Sequence, residues 1–221
     1  MTNNKNRRVR RRIGAVVTAA GTVLMLAACV VYAYARWDDH RAAASAGAAL
    51  LAIETRLSED EAPAPADDTA GAFAPDEGAE QADAAPAYTE TTVEIDGVRY
   101  LGTIRFPRRG LALPVIADWA FDSLRLAPVR YAGSVATDDL VIAGHNYSTH
   151  FSVLHQVETD EEIVFTDAAG REIRYVVRLT EVLEPTAVEE MVSGDWDLTL
   201  FTCTYGGKTR RAVRCERVTE F

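Results

Sequence analysis

The chain has 221 residues, 48% of them hydrophobic and 25% charged, which suffices for one globular domain with appendages and excludes a large multidomain assembly. Its formal net charge of -10 argues against a general nucleic-acid binder, because such proteins hold the polyanion through basic patches. Three cysteines without a CxxC pair exclude a disulfide-scaffolded mini-protein and a zinc ribbon, and they leave room for one reactive thiol.

The N-terminus is predicted to be a membrane anchor. Residues 1–12 carry six basic side chains and no acidic one, and Ile13–Ala35 then contains no charged residue. These 23 uncharged residues would form about 34 Å of helix, enough to cross a hydrocarbon core of about 30 Å. Because basic residues flank the cytoplasmic end of a span, we expect a cytoplasmic tail over 1–12, a signal-anchor over 13–35 and a domain outside the cell. Two alternatives stay open, a cleaved signal peptide and lipidation of Cys29 in the lipobox-like Leu26–Cys29.

Two further segments separate this anchor from the folded domain. Residues 36–57 are rich in alanine, which favours helix, and are predicted to form a helical stalk. Residues 58–87 hold nine acidic residues, four prolines and no Lys or Arg. Such a segment buries too little apolar surface to offset the entropy lost on ordering, so we predict a disordered acidic linker that acts as a spacer.

Residues 88–221 are predicted to form one mainly β domain. Short runs of β-branched and aromatic residues alternate with turn residues, a pattern typical of a closed or nearly closed β-barrel. The predicted strands are Val98–Phe106, Leu111–Ile116, Asp139–Ala143, Glu162–Thr166, Glu172–Val182, Asp197–Cys203 and Arg210–Val218. Two short helices are predicted over Asp118–Leu126 and Thr186–Val192, and Trp119, Phe121 and Trp196 are expected in the core.

Two of the predicted strands end close to residues that can do covalent chemistry. One strand ends at Cys203, and His145 follows another after one glycine. A thiol at a strand end is exposed enough to react, and an imidazolium can protonate the amine that leaves in acyl transfer. Arg210 and Arg211 open the next strand, and a guanidinium there would stabilise an oxyanion. Side chains alternate along a strand, so only one of these two arginines can face the site.

These residues also allow two other interpretations. A hairpin symmetric about Thr209 would place Cys203 opposite Cys215, and a disulfide there would remove the nucleophile. The favoured interpretation is that Cys215 packs in the barrel as a small residue. His145, His150 and His155 recur every five residues, a spacing that suits neither one helix face nor one strand face, so no metal site is predicted.

The C-terminal half resembles a known family. Thr199–Cys203 reads TLFTC and is similar to the TLxTC motif of sortases, the membrane-anchored cysteine transpeptidases of Gram-positive bacteria. The resemblance covers nearly all of residues 98–218, and further segments carry it: Leu101–Pro107 with Leu113–Val115 (opening strand pair), Ala143–Asn146 (histidine segment) and Arg210–Arg214 (last strand). It implies a closed eight-stranded sortase-type β-barrel with one or two short helices, preceded by a transmembrane helix and a disordered linker. The sortase class stays open between B-like and D-like.

The resemblance also implies roles for single residues. Cys203 corresponds to the nucleophile, His145 to the catalytic histidine and Arg210 to the oxyanion arginine, with Arg211 as its rival. The backbone N–H of Thr204 would share the oxyanion with the arginine. The substrate-binding residues implied are Thr202, Thr204, Asn146 and Tyr205.

The activity implied is cleavage of the C-terminal sorting signal of a secreted protein through a thioacyl-enzyme. The acyl group then passes to an amine of a cell-wall precursor or a pilin, with no metal, no other cofactor and no nucleic acid involved. The expected location is the cell membrane, crossed once, with the N-terminus cytoplasmic and the catalytic domain extracellular. Two alternatives stay open, a net peptide hydrolase and a non-catalytic membrane-tethered β-barrel that binds cell-wall or pilin proteins.

Overall fold

The computed structural model describes residues 3–60 and 88–219, so most of the predicted acidic linker lies outside the described residues. The chain divides into two compact units, with the boundary between Arg41 and Ala42. Helix α1 spans Asn3–Asp60, and it contains a stretch long and apolar enough to cross a membrane.

The second unit is mainly β. Its elements, in chain order after α1, are β1 Val93–Ile95, β2 Val98–Phe106, β3 Leu111–Ile116, β4 Val129–Ala132, β5 Leu140–Ala143, β6 Glu162–Asp167, β7 Glu172–Leu183, α2 Val188–Val192, β8 Leu198–Cys203 and β9 Arg210–Arg217. Short 3₁₀ turns occur at Pro107–Arg109, Asp122–Arg125 and Phe151–His155.

Eight of these strands close into a ring, which confirms the predicted barrel. The order is β2-β3-β4-β5-β8-β9-β7-β6, and β6 pairs back onto β2. Strand β1 adds to the edge of β2 through a tight turn at Asp96–Gly97, where both residues have positive φ, 51° and 76°. Positive φ at both positions matches the right-handed twist of a two-residue hairpin, and Asp-Gly is a favoured sequence for it.

The barrel interior holds the main core. Alternate residues of each strand point inward, as in Ile104 of β2, Ile142 of β5, Leu200 of β8 and Val213 of β9, all fully buried. Cys215 belongs to the same cluster and is also fully buried, so its predicted role as a small core residue is confirmed.

The outer surface of the barrel is partly covered by the last part of α1. Ala42, Ala46, Ala49 and Ile53 are buried, and their spacing of four, three and four residues defines one helix face. Ala49 and Ile53 pack in a cluster with side chains of β2, β3, β4 and β5. The residues predicted as a stalk are helical, and from Ala42 onward they form part of the second unit.

The two ends of the undescribed segment 61–87 meet at the turn between β6 and β7. The hydroxyl of Tyr88 donates to Asp167 Oδ2 at 3.0 Å, and the Arg171 guanidinium lies 4.2 Å from the centre of the Tyr88 ring. On the helix side, Leu57 Cδ2 lies 3.8 Å from the position that a Cβ on Gly170 would occupy. Leu57 and Tyr88, which precede and follow the undescribed segment, therefore lie beside the same turn.

The segment between β3 and β4 differs from its prediction. Asp118–Leu126 was expected to be helical, and within it Asp122–Arg125 forms a 3₁₀ turn. The expected core positions of Trp119 and Phe121 are wrong, because these side chains are 46% and 68% exposed. The parallel pairing of Ile116 with Val129 places the connection between them at the rim of the barrel, so its aromatic rings do not enter the interior.

Candidate active site

Parallel pairing brings the thiol and the imidazole to the same edge of the barrel. β5 and β8 are parallel neighbours, and Ala143 lies beside Phe201 in their register. Cys203 is the last residue of β8, and His145 lies two residues beyond the end of β5. Because parallel strands end at a common edge, residues that follow one strand lie close to the end of the other.

Strand β9 distinguishes the two candidate arginines. In the antiparallel register Arg210 lies opposite Cys203, and Arg211 lies opposite Thr202. Directly opposed residues share a face, so Arg210 is on the outer face with Cys203. Arg211 is on the inner face, where its Nε donates to the Leu154 carbonyl at 3.3 Å. The Nη1 group of Arg210 donates to the carbonyls of Gly207 and Thr209 at 3.2 and 3.1 Å, which holds the guanidinium beside the hairpin loop.

A cleft of about 300 Å³ on the outer face joins these three residues. Its other walls are mostly apolar and come from two connections: Trp119, Phe121 and Leu124 on one side, and Pro185, Ala187, Val188 and Met191 on the other. The charged or titratable residues that line the cleft are Tyr131, His145, Glu184, Cys203 and Arg210. The cleft is therefore mostly apolar, and its lining residues include a thiol, an imidazole and a guanidinium.

The position of His145 is fixed by close packing just before it. A Cβ on Gly144 would lie 2.6 Å from the Phe151 ring, so only glycine allows this approach. The carbonyl of Gly144 accepts the hydroxyl of Thr202 at 2.8 Å, which ties the end of β5 to the residue before Cys203. The ring of His145 contacts Phe121 edge-on at 6.3 Å and Tyr147 at 4.8 Å between centroids.

The four residues predicted to bind substrate have different surroundings. Thr202 is among the residues that line the cleft, but it is only 1% exposed, and its hydroxyl donates to the Gly144 carbonyl. Thr204 donates its backbone N–H to Thr209 at 3.0 Å, so in this structure that N–H is not free to hold an oxyanion as predicted. Asn146 is half-buried beside His145, and its Oδ1 has no hydrogen-bond partner in the described residues. Tyr205 is 78% exposed and stacks on His155, outside the residues that line the cleft.

The alternative of a disulfide between Cys203 and Cys215 is wrong. The hairpin register places Cys215 opposite Leu198, at the far end of β8 from Cys203. All three cysteines of the chain are free, and Cys203 is partly exposed. Burial without a polar partner raises the pKa of the Cys215 thiol, which makes it a poor nucleophile.

Several cleft residues were not predicted from the sequence. Trp119 and Phe121 are flanked by the acids Asp118 and Asp122, which favours exposure of this segment over burial. No feature of the sequence indicated that Met191 lines the cleft, because its position depends on how α2 packs on the barrel. Among residues 3–60 and 88–219, no three His, Cys, Asp or Glu side chains form a group that could hold a metal ion.

The comparisons with known proteins agree with the predicted family. A sortase domain model matches residues 104–218, which is more than half of the 221-residue chain. The chain therefore belongs to the sortase family.

Solved sortase structures are similar to the chain. Sortase C of Clostridium perfringens, solved with the C-terminal cell wall sorting motif, is 24% identical, covers 55% of this chain and 71% of its own, and has a TM-score of 0.49. Sortase A of Corynebacterium diphtheriae is 24% identical, with 56% and 63% covered and a TM-score of 0.49. The sortase D5 transpeptidase of Clostridium perfringens is 19% identical, with 54% and 79% covered and a TM-score of 0.49. No curated protein matches the chain by sequence.

Proposed function

We propose that this sortase is a cysteine transpeptidase that cleaves a C-terminal sorting signal and transfers the acyl fragment to an amine. The observation that carries the proposal is the convergence of Cys203, His145 and Arg210 on one apolar cleft, with Arg210 directly opposite Cys203 across the β8–β9 hairpin. A nucleophile, a proton donor and a fixed positive charge are the three components that acyl transfer from a peptide requires.

In the first half-reaction the Cys203 thiolate attacks the carbonyl carbon of the scissile peptide bond. The carbonyl oxygen becomes an oxyanion, and the positive charge of the Arg210 guanidinium stabilises it. His145, as the imidazolium, gives its proton to the leaving amine. The C–N bond breaks, and the acyl fragment remains on sulfur as a thioester.

In the second half-reaction an amine takes the place of the released peptide. Neutral His145 accepts the proton from the incoming nitrogen as that nitrogen attacks the thioester carbonyl. A second oxyanion forms beside Arg210, the C–S bond breaks, and the thiolate is regenerated. The product is a new amide bond. Water in place of the amine would give hydrolysis by the same steps.

The walls of the cleft support a peptide substrate with an apolar residue near the scissile bond. Trp119 and Phe121 on one side and Val188 and Met191 on the other present apolar surface next to Cys203. Such surface contributes about 25 cal/mol per Å² of apolar area that it buries. Binding energy gained there would align the scissile carbonyl with the thiol.

The proposed location is the cell membrane. The long apolar part of α1 supports a single span. The six basic residues within 1–12 and the acids that follow the span support a cytoplasmic N-terminus and an extracellular catalytic domain. Secreted proteins with a sorting signal, and the amines of a cell-wall precursor or pilin, are the partners proposed on that side.

The test uses the full chain in detergent, a library of sorting-signal peptides and an added primary amine, with mass spectrometry of the products. Wild-type enzyme should cleave a subset of peptides and join their N-terminal fragments to the amine, whereas Cys203→Ala should produce neither fragment nor conjugate. Cys215→Ala is the matched control and should retain activity, since this thiol is buried. Cleavage without conjugate at saturating amine would make the protein a hydrolase. No cleavage of any peptide would favour a binding protein.

A further inference from the structure

Arg214 is a buried charge that the proposed reaction does not use. It lies on β9 four residues beyond Arg210, so it is on the same outer face, and its side chain is 3% exposed. At about 3.3 Å per residue the two Cα atoms are about 13 Å apart, too far for Arg214 to reach a carbonyl bound at Cys203. A buried guanidinium is costly unless each donor is satisfied, so its partners indicate why it is there.

The partners of Arg214 belong to three different elements. Its Nε donates to Glu181 Oε1 of β7 at 2.8 Å, and its Nη1 donates to Thr199 Oγ1 of β8 at 3.0 Å. Two further bonds reach backbone carbonyls of α2, from Nη1 to Met191 at 2.8 Å and from Nη2 to Glu190 at 2.5 Å. One side chain therefore fastens α2 to two strands of the barrel.

The two carbonyls lie in the last turn of α2, where no backbone donor follows within the helix. Helix α2 has five residues, and a helix this short has little stability of its own. The guanidinium supplies the missing donors, and its positive charge is favourable at a helix C-terminus. The position of α2 on the barrel thus depends more on the bonds from Arg214 than on the hydrogen bonds within the helix.

Helix α2 is also a wall of the cleft. Val188 and Met191 line it, and Met191 is packed in a small outer-face cluster with Val141 of β5 and Ala212 of β9. Ala212 lies midway between Arg210 and Arg214 on the same face of β9. A shift of α2 would therefore change the apolar wall without moving Cys203, His145 or Arg210.

We propose that Arg214 is a positioning residue that clamps α2 so that Val188 and Met191 form the substrate-binding wall. This inference rests on the proposed function for its kinetic part, while the clamp itself can be measured without any activity. Loss of the clamp weakens peptide binding and leaves the chemical groups in place. The expected signature is a rise in KM for the peptide with a much smaller change in kcat.

Hydrogen exchange of the full chain in detergent tests the clamp directly. The amides of Met191 and Ser193 are protected by bonds to Ala187 and Glu189. In Arg214→Met these amides should exchange at least about tenfold faster, because several bonds to a charged donor are lost together. The amides of β8 should keep their protection. Arg178→Met is the matched control, since Arg178 forms ion pairs with Asp160 and Glu216 and should not affect α2.

Arg214→Lys keeps the charge but cannot span Glu181, Thr199 and both carbonyls, so it should also release α2. If neither variant speeds exchange in α2, or if both loosen β8 as much as α2, the clamp is refuted. Kinetics with a cleaved peptide then tests positioning: KM should rise about tenfold and alkylation of Cys203 by iodoacetamide should be unchanged. A fall in kcat at constant KM would contradict positioning. If the wild type cleaves no peptide, the proposed function fails, and the exchange result still decides the clamp.

Discussion

Arg210 and Arg211 are neighbours in the chain and lie on opposite faces of β9. The sequence motif alone left both residues as candidates for the oxyanion arginine. It predicted the strand that carries them but not the register of that strand against β8. The pairing of Arg210 with Cys203 supports Arg210 as the oxyanion arginine, and the bond from Arg211 to Leu154 gives Arg211 a structural role.

Single substitutions of the two arginines should therefore differ in kind. Arg210→Ala should lower kcat about 10²–10³-fold, as removal of an oxyanion donor does in other acyl-transfer enzymes. Arg211→Ala should leave kcat within a few-fold of wild type and lower the melting temperature, because it removes the bond to the loop that carries His145. Steady-state kinetics and thermal unfolding measure both effects. The reverse pattern would mean that the active face of β9 has been assigned wrongly.

Cys215 is predicted to make the stability of the domain fall as the pH rises into the alkaline range. Burial raises the pKa of its thiol from the ordinary value of 9.0, so the folded chain keeps a proton that the unfolded chain releases. The full contribution of this thiol to the free energy of unfolding is therefore present below about pH 9. Above pH 9 that free energy falls by about 1.4 kcal/mol per pH unit. Urea unfolding at pH 8, 9 and 10 should show this fall.

The variant Cys215→Ala should reduce that fall between pH 9 and 10, although it is less stable at neutral pH because of the cavity it leaves. Tyr175 has a raised pKa for the same reason, burial, and acts from a higher ordinary value of 10.0. An unchanged pH slope in Cys215→Ala would show that this thiol is not the group responsible.

At the scale of residues, the sequence was most informative where a motif fixes position. Cys203 and His145 were predicted from the ends of two apolar runs, and the structure brings both to one cleft. The burial of Thr202 and the engaged N–H of Thr204 could not be predicted, because both depend on which residues of a neighbouring segment lie opposite.

At the scale of elements, the last turns of α1 are an integral part of the barrel surface. Ile53 is fully buried against the outer sides of the strands, whereas Leu51, two residues earlier, is 66% exposed. Two apolar residues of similar size on one helix thus differ in burial: Ile53 packs on the barrel and Leu51 is exposed.

This contrast gives a matched pair of variants. Ile53→Ala should destabilise the second unit by about 2–5 kcal/mol, the usual result of emptying a buried aliphatic site. Leu51→Ala should change the free energy of unfolding by less than about 0.5 kcal/mol. Urea denaturation followed by far-UV circular dichroism measures both. Equal effects would mean that the helix does not pack on the barrel through this face.

The elements predicted from sequence were those with long apolar runs. β2, β3, β6, β7, β8 and β9 were predicted because each has six or more residues of strand-like composition, and β5 was predicted because its four residues are all apolar. β1 and β4 were not predicted, since each is short and is interrupted by a charged residue, Glu94 or Arg130, so that they owe their pairing to neighbours. The Asp96–Gly97 turn was the available signal for β1.

At the scale of the whole molecule, the acidic segment 61–87 connects two described parts of the second unit. Both flanks of the segment, Leu57 and Tyr88, lie beside the β6–β7 turn, and residues 42–57 already pack on the barrel. We therefore predict that the stability and activity of the domain depend little on the length and charge of this segment.

Replacement of 61–87 by a short Gly/Ser linker should thus leave the melting temperature within a few degrees and activity within about twofold of wild type. Loop shortening changes closure entropy only slowly, by about 0.6 kcal/mol per halving of length. As a comparison, deletion of residues 1–87 should cause a large loss of stability, because it removes Ala49 and Ile53 from the outer core. Equal stability of the two shortened proteins would contradict the packing of α1.

The proposed function requires that the acyl fragment of the substrate is held on Cys203 as a thioester. Intact mass spectrometry of the full chain, quenched in acid after brief exposure to a cleaved sorting peptide, tests this step. We predict one added acyl fragment, located on Cys203, that disappears when an amine is supplied and returns as an amide of that amine. Turnover of the peptide by Cys203→Ala, or an adduct located at any other residue, would refute the proposal.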